Sequence, residues 1–197
     1  MRIRTIAVLL NGPPGIGKDT LADGLMEIDS SIKKMEYKRG LRVATAKRYF
    51  VDQEIADFLF AHRRLKDRES RLFGCSPRAA LIETDTYLKN KHGHSMVGKW
   101  AAKAVALEIQ NGHKYFVFSD SGFLPEAEMV ALEVDFLVVV NLLHKDFNFN
   151  GDSRNYIKMN GINSCTVQFH RTDEQIDLDV KRLNGLISDA LWENRNT

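Results

Sequence analysis

Residues 5–20 read TIAVLLNGPPGIGKDT, and this stretch decides the fold. Thr5–Leu10 is an apolar run of the kind that forms a parallel strand buried on both faces. Gly12–Lys18 then matches the pattern G-x-x-x-x-G-K of a phosphate-binding loop (P-loop, or Walker A motif). A helix is predicted to follow from Lys18 to Asp29. The loop therefore lies between a buried strand and a helix, which is the setting that the motif requires.

The chemistry of this loop is that of an anion site. Glycines let the backbone curl so that main-chain N–H groups point inward, and the following helix directs its positive end to the same place. In such loops the lysine reaches the β- and γ-phosphates of a nucleotide. The loop therefore predicts ATP as a cofactor, bound by Gly12, Gly15, Ile16, Gly17, Lys18, Asp19 and Thr20.

The residue after the lysine departs from the usual pattern. Ser or Thr normally stands there, and its hydroxyl binds Mg²⁺. Here Asp19 follows the lysine and Thr20 comes next, so either side chain is a candidate for the metal. Asp120 is a third candidate, because it ends the apolar strand Tyr115–Ser119. Its alternative role is that of a general base toward an acceptor hydroxyl.

Strands and helices alternate along the rest of the chain, which predicts a parallel α/β sheet in a single domain, residues 1–197. Further strands are predicted near Met35 and over Phe136–Leu142 and Thr166–Phe169. Helices are predicted over Leu41–Phe50, Gln53–His62, Ser76–Lys89, Lys99–Gln110 and Pro125–Leu132, and from Ile176 onward. We expect the highly charged segment 62–74 to be a helix with an exposed face. Thr172 and Gln175 have the spacing of a capping box for the last helix.

Composition and charge narrow the class of protein. The chain has 197 residues, of which 44% are hydrophobic, and no apolar run is long enough to span a bilayer. With no targeting segment visible, we expect a cytoplasmic protein with no membrane partner. Residues 1–110 hold 20 Lys and Arg against 13 Asp and Glu, whereas residues 111–197 hold 8 against 13. The basic first half favours an anionic partner such as a nucleotide or a nucleic acid, or else is a solvated surface.

Four stretches stand in order along the chain: GPPGIGKDT (12–20), KRGLR (38–42), SPRAALIETDTYL (76–88) and FVFSDSGFLPEAEMV (116–130). Together they resemble the bacteriophage deoxynucleoside monophosphate kinases. The resemblance implies a three-layer P-loop kinase fold with a short lid at approximately 145–158. It also implies a helical acceptor-binding region at approximately 38–95, location in the host cytoplasm during infection, and a homodimer as one possible assembly. The family's arginine in the fourth stretch is replaced here by Gly122, which leaves the identity of the acceptor open.

The resemblance also implies roles for particular side chains. Arg154 lies where a lid arginine would neutralise charge on the transferred phosphoryl group, and with Lys18 and Asp120 it is a predicted catalytic residue. A monophosphate acceptor needs a forked cation, for which Arg42 and Arg78 are the candidates. Phe123 is a candidate for stacking on the acceptor base.

Three functions remain open at this level. The first is transfer of the γ-phosphoryl of ATP to a deoxynucleoside monophosphate. The second is phosphorylation of a 5-hydroxymethylpyrimidine in phage DNA, a base-modification step in which DNA is the acceptor and Asp120 the natural base. The third, an NTPase switch or motor domain, is disfavoured because the sequence has no N-K-x-D motif. A role for His92 and His94 also stays open.

Overall fold

The computed structural model describes residues 5–62, 64–172 and 176–193. The strands are β1 (Ile6–Asn11), β2 (Ile32–Met35), β3 (Tyr115–Phe118), β4 (Phe136–Leu143) and β5 (Ser164–His170). The helices are α1 (Lys18–Ile28), α2 (Lys38–Arg48), α3 (Gln53–Ala61), α4 (Pro77–His92), α5 (Met96–Gln110), α6 (Leu124–Ala131) and α7 (Ile176–Glu193).

The described strands form one parallel sheet in the order β2-β3-β1-β4-β5. β1 lies at its centre, where it pairs with β3 on one side and with β4 on the other. The chain first builds the β2–β3 side and then crosses to the β4–β5 side. In open α/β sheets, ligands bind outside the carboxyl ends of the strands at such a reversal of order. The loop that follows β1 starts at this point.

Helices cover both faces of the sheet. Alternate residues of β1 enter two separate apolar cores, as the pleat of a strand requires. Ala7 and Leu9 pack with residues of α5 and α6, whereas Val8 and Leu10 pack with residues of α1 and α7. All six residues of β1 are buried, as predicted for a strand covered on both faces. The predicted three-layer α/β fold is confirmed.

A third, smaller apolar core lies outside these layers. It joins α2, α3 and α4 around Phe60 and Phe73, together with Ala46, Ala56 and Ala80. These helices fall in the segment approximately 38–95, for which we predicted a helical acceptor-binding region. The helices are there, and the acceptor role stays a prediction.

The prediction of a helix in the charged segment 62–74 was wrong for its described residues. Residues 64–74 form turns and an antiparallel bridge between Ser70 and Cys75. Phe73 turns inward to contact the rings of Tyr49 and Phe60, and Gly74 follows with a φ of 66°. One buried aromatic side chain anchors this segment, and the charged residues supply no apolar stripe for a helix.

Two predicted helix starts were too late. α5 begins at Met96 and not at Lys99. Gly98 therefore lies inside the helix, where its lack of a side chain lets α5 pack closely on α6. A Cβ at this position would lie 2.6 Å from the Cα of Glu126. α2 begins at Lys38 and not at Leu41, and the residue that caps it, Asp120, lies far away in the sequence.

The predicted capping box, Thr172 with Gln175, falls partly outside the described residues, since Gln175 is not among them. No helix in the described ranges is long and apolar enough to cross a membrane.

Candidate active site

The loop between β1 and α1 has the backbone that a phosphate-binding loop needs. Gly15 and Gly17 have φ angles of 83° and 88°, in the left-handed region that favours glycine. A Cβ on Gly12 would lie 3.1 Å from the Cβ of Leu142, so the loop also packs closely against β4. The loop leads directly into the N-terminus of α1, which makes this end of the sheet electropositive.

Lys18 is half-buried inside this loop. Its Nζ donates hydrogen bonds to the carbonyl oxygens of Gly12 and Pro13, at 2.6 and 2.7 Å. Burial, and then the positive charges of Arg154 and Lys38, lower the pKa of Lys18 to about 8. Three cations from three different segments therefore act on one small volume, and a bound polyanion would relieve their mutual repulsion.

Asp19 joins the loop to β3 and to β2. One carboxylate oxygen accepts a hydrogen bond from the hydroxyl of Ser119 at 2.5 Å and lies 3.4 Å from Nζ of Lys34. Desolvation raises the pKa of Asp19, but the hydrogen bond from Ser119 and the charge of Lys34 outweigh it, so the pKa is lowered overall. Asp19 is thus ionised at neutral pH. Ser119 was not singled out from the sequence. The signal that could have identified it is its place at the end of the predicted strand Tyr115–Ser119, next to Asp120.

Asp120 is bound to the beginning of α2. Its two carboxylate oxygens accept hydrogen bonds from the main-chain N–H groups of Tyr37 and Lys38, both at 3.0 Å. The carboxylate therefore caps a helix whose own preceding residue, Tyr37, offers no side-chain cap. This arrangement fixes α2 to the end of β3, and it leaves Asp120 with both oxygens already engaged.

Arg154 comes from the connection between β4 and β5, residues 144–163. Its charge interacts with those of Lys18 and Asp120, and we call the space between these three side chains the cleft. Asp152 holds it with bonds from Nε at 2.8 Å and Nη2 at 2.6 Å, and both side chains are less than one-fifth exposed. The hydrogen bond from Arg154 lowers the pKa of Asp152 to about 2. The aliphatic part of Arg154 covers Gly122, where an added Cβ would lie 2.8 Å from Cγ of the arginine. Arg154 is therefore held near enough for its charge to act on Lys18, and its catalytic role in a lid stays a prediction.

Two further contacts to the loop come from the carboxyl ends of β4 and β5. The ring of Phe147 lies over Gly15, 3.1 Å from where a Cβ would stand. Arg171 donates a hydrogen bond from Nη1 to the carbonyl of Ile16, and Nε of Arg171 lies 3.3 Å from Asp179. Neither side chain was expected from the sequence, since each reaches the loop only through the fold.

A cavity of about 560 Å³ opens next to these contacts. It lies between the carboxyl ends of β4 and β5, and Arg171 connects it to the loop through Ile16. The residues that line it are Leu143, His144, Lys145, His170, Arg171 and Thr172.

The three predicted acceptor-binding residues lie in different places. Arg42 is in the second turn of α2, not at its start, and pairs with Glu36 at 3.0 Å. Arg78 opens α4 as predicted but is half-exposed and paired with Asp67 at 2.5 Å. Phe123 follows Asp120 closely, with Nζ of Lys89 4.2 Å from the centre of its ring. Phe123 thus borders the cleft. The described hydrogen bonds of Arg78 are with residues 66 and 67 and not with residues of the cleft.

Asp19 and Asp120 are the carboxylates near the loop that could hold Mg²⁺. Mg²⁺ prefers one or two carboxylates together with phosphate oxygens and water. Asp19 fits, because it is ionised, largely exposed beside the loop, and adjoins the hydroxyl of Ser119. Asp120 fits less well, since main-chain N–H groups engage both of its oxygens. Across the described residues no group of three or more His, Cys, Asp or Glu side chains forms a metal site by itself.

The parallel sheet with its loop at the end of the central strand is a P-loop kinase-like α/β fold. A solved structure with the same overall fold is a sugar kinase from Janibacter sp. HTCC2649, in unliganded form. The match has a TM-score of 0.51 and 9% identity, and it covers 94% of this chain and 95% of that chain. No protein-family model and no curated protein matches the sequence.

Proposed function

We propose that this protein is an ATP-dependent phosphotransferase whose acceptor is a deoxynucleoside monophosphate. The observation that carries the proposal is the convergence of Lys18 and Arg154. They come from two separate segments, the P-loop after β1 and the β4–β5 connection, and their charges act on each other. Phosphoryl transfer needs positioning and charge neutralisation more than covalent chemistry, and two partly buried cations at the end of a P-loop would supply both.

The donor nucleotide would bind on the β4 side of the loop. Its phosphates would lie in the P-loop against the N-terminus of α1, with Lys18 on the β- and γ-phosphates. Its nucleoside part would enter the cavity between Leu143 and Arg171. Mg²⁺, when bound, would neutralise charge on the phosphates, and Asp19 is the residue best suited to hold it.

The acceptor would approach from the α2 and α4 side. Deoxynucleoside monophosphates are the acceptors of the phage enzymes that the sequence resembles. A monophosphate is already largely ionised at neutral pH, so it needs no general base. The engagement of Asp120 by the N-terminus of α2 supports this choice over an alcohol acceptor, for which Asp120 would have to accept a proton.

A second acceptor, a hydroxymethylated pyrimidine in DNA, is favoured by one feature. A groove of about 830 Å³ runs along the edge strand β2 toward α5, and its cations outnumber its carboxylates. Trp100 contributes an aromatic face to this groove, as sites for single-stranded nucleic acid often do. The cations are Lys33, Lys34, Arg39, Arg42 and Lys47.

ATP labelled on its γ-phosphate, offered with the four common deoxynucleoside monophosphates and with DNA containing 5-hydroxymethyluracil, tests the proposal. We expect label in a deoxynucleoside diphosphate, with only modest loss of rate between 50 and 200 mM salt. Label in DNA alone, lost steeply over the same salt range because counterions are released on binding, would favour the second acceptor. Release of phosphate with no labelled acceptor would point to an NTPase.

A further inference from the structure

A buried carboxyl group in the cleft, that of Glu126, has no described partner. Glu126 lies in the first turn of α6 and is 5% exposed. Its backbone is fixed, because α5 packs so closely here that a Cβ on Gly98 would lie 2.6 Å from the Cα of Glu126. The described residues make no hydrogen bond or ion pair with its side chain.

The charges that act on Glu126 show which charged groups lie near it. Lys89 and Asp85 act on it from α4, Asp120 from the end of β3, and Lys38 from the start of α2. It acts in turn on Arg154 of the β4–β5 connection. The carboxyl group therefore lies where the acceptor-side helices meet the predicted catalytic residues, and not on a surface apart from them.

Burying a carboxyl group without a hydrogen-bond partner lowers the free energy of unfolding. Burial raises the pKa of Glu126 to about 7, in spite of the opposing charge of Lys89. Asp179 provides a comparison within the same chain, since it is also buried and in the first turn of a helix. Arg171, Thr172 and Arg182 all lie within hydrogen-bond range of it, so its burial has a structural reason. Glu126 has none of these partners, and a ligand that donates a hydrogen bond would supply the missing one.

We propose that Glu126 binds the nucleoside part of the acceptor by accepting a hydrogen bond from it. The group that donates this hydrogen bond would be an amino group of the acceptor's base or a hydroxyl group of its sugar. The acceptor's phosphate is excluded as the partner because a carboxylate repels it, whereas Lys18 and Arg154 attract it. Glu126 would thus hold the end of the acceptor that is remote from the transferred group. This inference rests on the proposed phosphotransferase function.

Steady-state kinetics of the full chain test it, with Glu126→Gln and Glu126→Ala compared with Glu128→Gln as the control. Glu128 lies on the same helix, two residues away, and is exposed. We expect Glu126→Ala to raise the KM for the acceptor about tenfold or more, as for loss of a hydrogen bond to a charged group. The KM for ATP should change less than twofold, Glu126→Gln should restore part of the loss, and Glu128→Gln should match the wild type.

Two substrate comparisons identify which group of the acceptor donates the hydrogen bond to Glu126. If it is a base amino group, Glu126→Ala should penalise dCMP more than dTMP, which has a carbonyl in place of the amino group. If it is the sugar hydroxyl, 2′,3′-dideoxy-CMP should be a poor substrate of the wild type and insensitive to the substitution.

An unchanged acceptor KM in both folded Glu126 variants would overturn the inference while leaving the phosphotransferase proposal intact. A wild-type protein that phosphorylates no acceptor would instead overturn the proposed function, and the inference with it. Circular dichroism and melting temperature establish that each variant is folded before its kinetics are compared.

Discussion

The side chain of Arg154 lies across the α-carbon of Gly122, and the contact is possible only because residue 122 has no Cβ. Gly122 stands where the phage kinases that the sequence resembles have an arginine. A guanidinium group is nonetheless present in the cleft, supplied by the β4–β5 connection and held by Asp152. The two positions are therefore coupled, since a side chain at 122 and the observed placement of Arg154 exclude each other.

Replacement of Gly122 by alanine should displace Arg154 and lower kcat by about ten- to a hundredfold, as expected when a catalytic group is misplaced by about 1 Å. The backbone of Gly122 has no positive φ, so the effect comes from the added methyl group. Gly185→Ala in α7 is the matched control, because a Cβ there meets nothing within 4 Å. A Gly122→Ala variant with wild-type kcat would show that Arg154 is not needed where the structure places it.

The pair formed by Asp152 and Arg154 should behave as a unit. We expect Arg154→Ala to lower kcat by about 10²- to 10³-fold, as for loss of a group that stabilises transition-state charge. Asp152→Asn should have a smaller effect, about tenfold, because it loosens the arginine without removing it. A double-mutant cycle on kcat checks this, since the two losses should not add. Additive losses would mean that Asp152 does not act through Arg154.

ATP binding should depend on pH through Lys18. The lysine is charged below its pKa of about 8 and neutral above it, and bound phosphates favour the charged form. Affinity for ATP should therefore be steady below pH 8 and fall toward tenfold per pH unit above it, with proton uptake on binding. Isothermal titration calorimetry between pH 7 and 9.5 measures this. Lys18→Arg should lose the dependence, and a variant that keeps the full slope would assign it to another group.

Glu126 should make stability depend on pH. Its folded-state pKa of about 7 lies above the ordinary glutamate value of 4.5, so the folded state binds an extra proton between these pH values. Stability is then lost as pH rises from about 4.5 to 7. Glu126→Gln should match the wild type near pH 4.5 and exceed its stability above pH 7, by up to about 3 kcal/mol. Urea unfolding at both pH values measures the difference, and equal differences at the two values would contradict this.

Contiguous patterns predicted much of this molecule. The apolar run before Gly12 and the glycine spacing up to Lys18 depend on neighbouring residues, so the central strand, the loop and α1 could be read from the sequence. The alternation of strands and helices likewise predicted the parallel sheet. Arg154 was singled out because it lies in the loop after β4, where the resemblance implies a lid, and its catalytic role stays a prediction.

What could not be predicted depends on residues far apart in the chain. The start of α2 was missed because its cap is Asp120, whose oxygen binds an N–H group 82 residues earlier. Gly98 was left outside the predicted helix, which started at Lys99, because what favours glycine there is the close approach of the backbone of α6. Glu126 carries no local signal either, since a glutamate in the first turn of a helix is ordinary until the fold buries it.

Transfer of a phosphoryl group from ATP to a deoxynucleoside monophosphate is the activity that we propose. Phosphorus-31 NMR of the wild-type protein with Mg²⁺, ATP and the four common deoxynucleoside monophosphates tests this activity directly, with Lys18→Ala as the inactive control. We expect ADP and a deoxynucleoside diphosphate to appear in equal amounts in the wild-type sample and not in the control. ATP that stays intact, or that yields only ADP and inorganic phosphate, would contradict it.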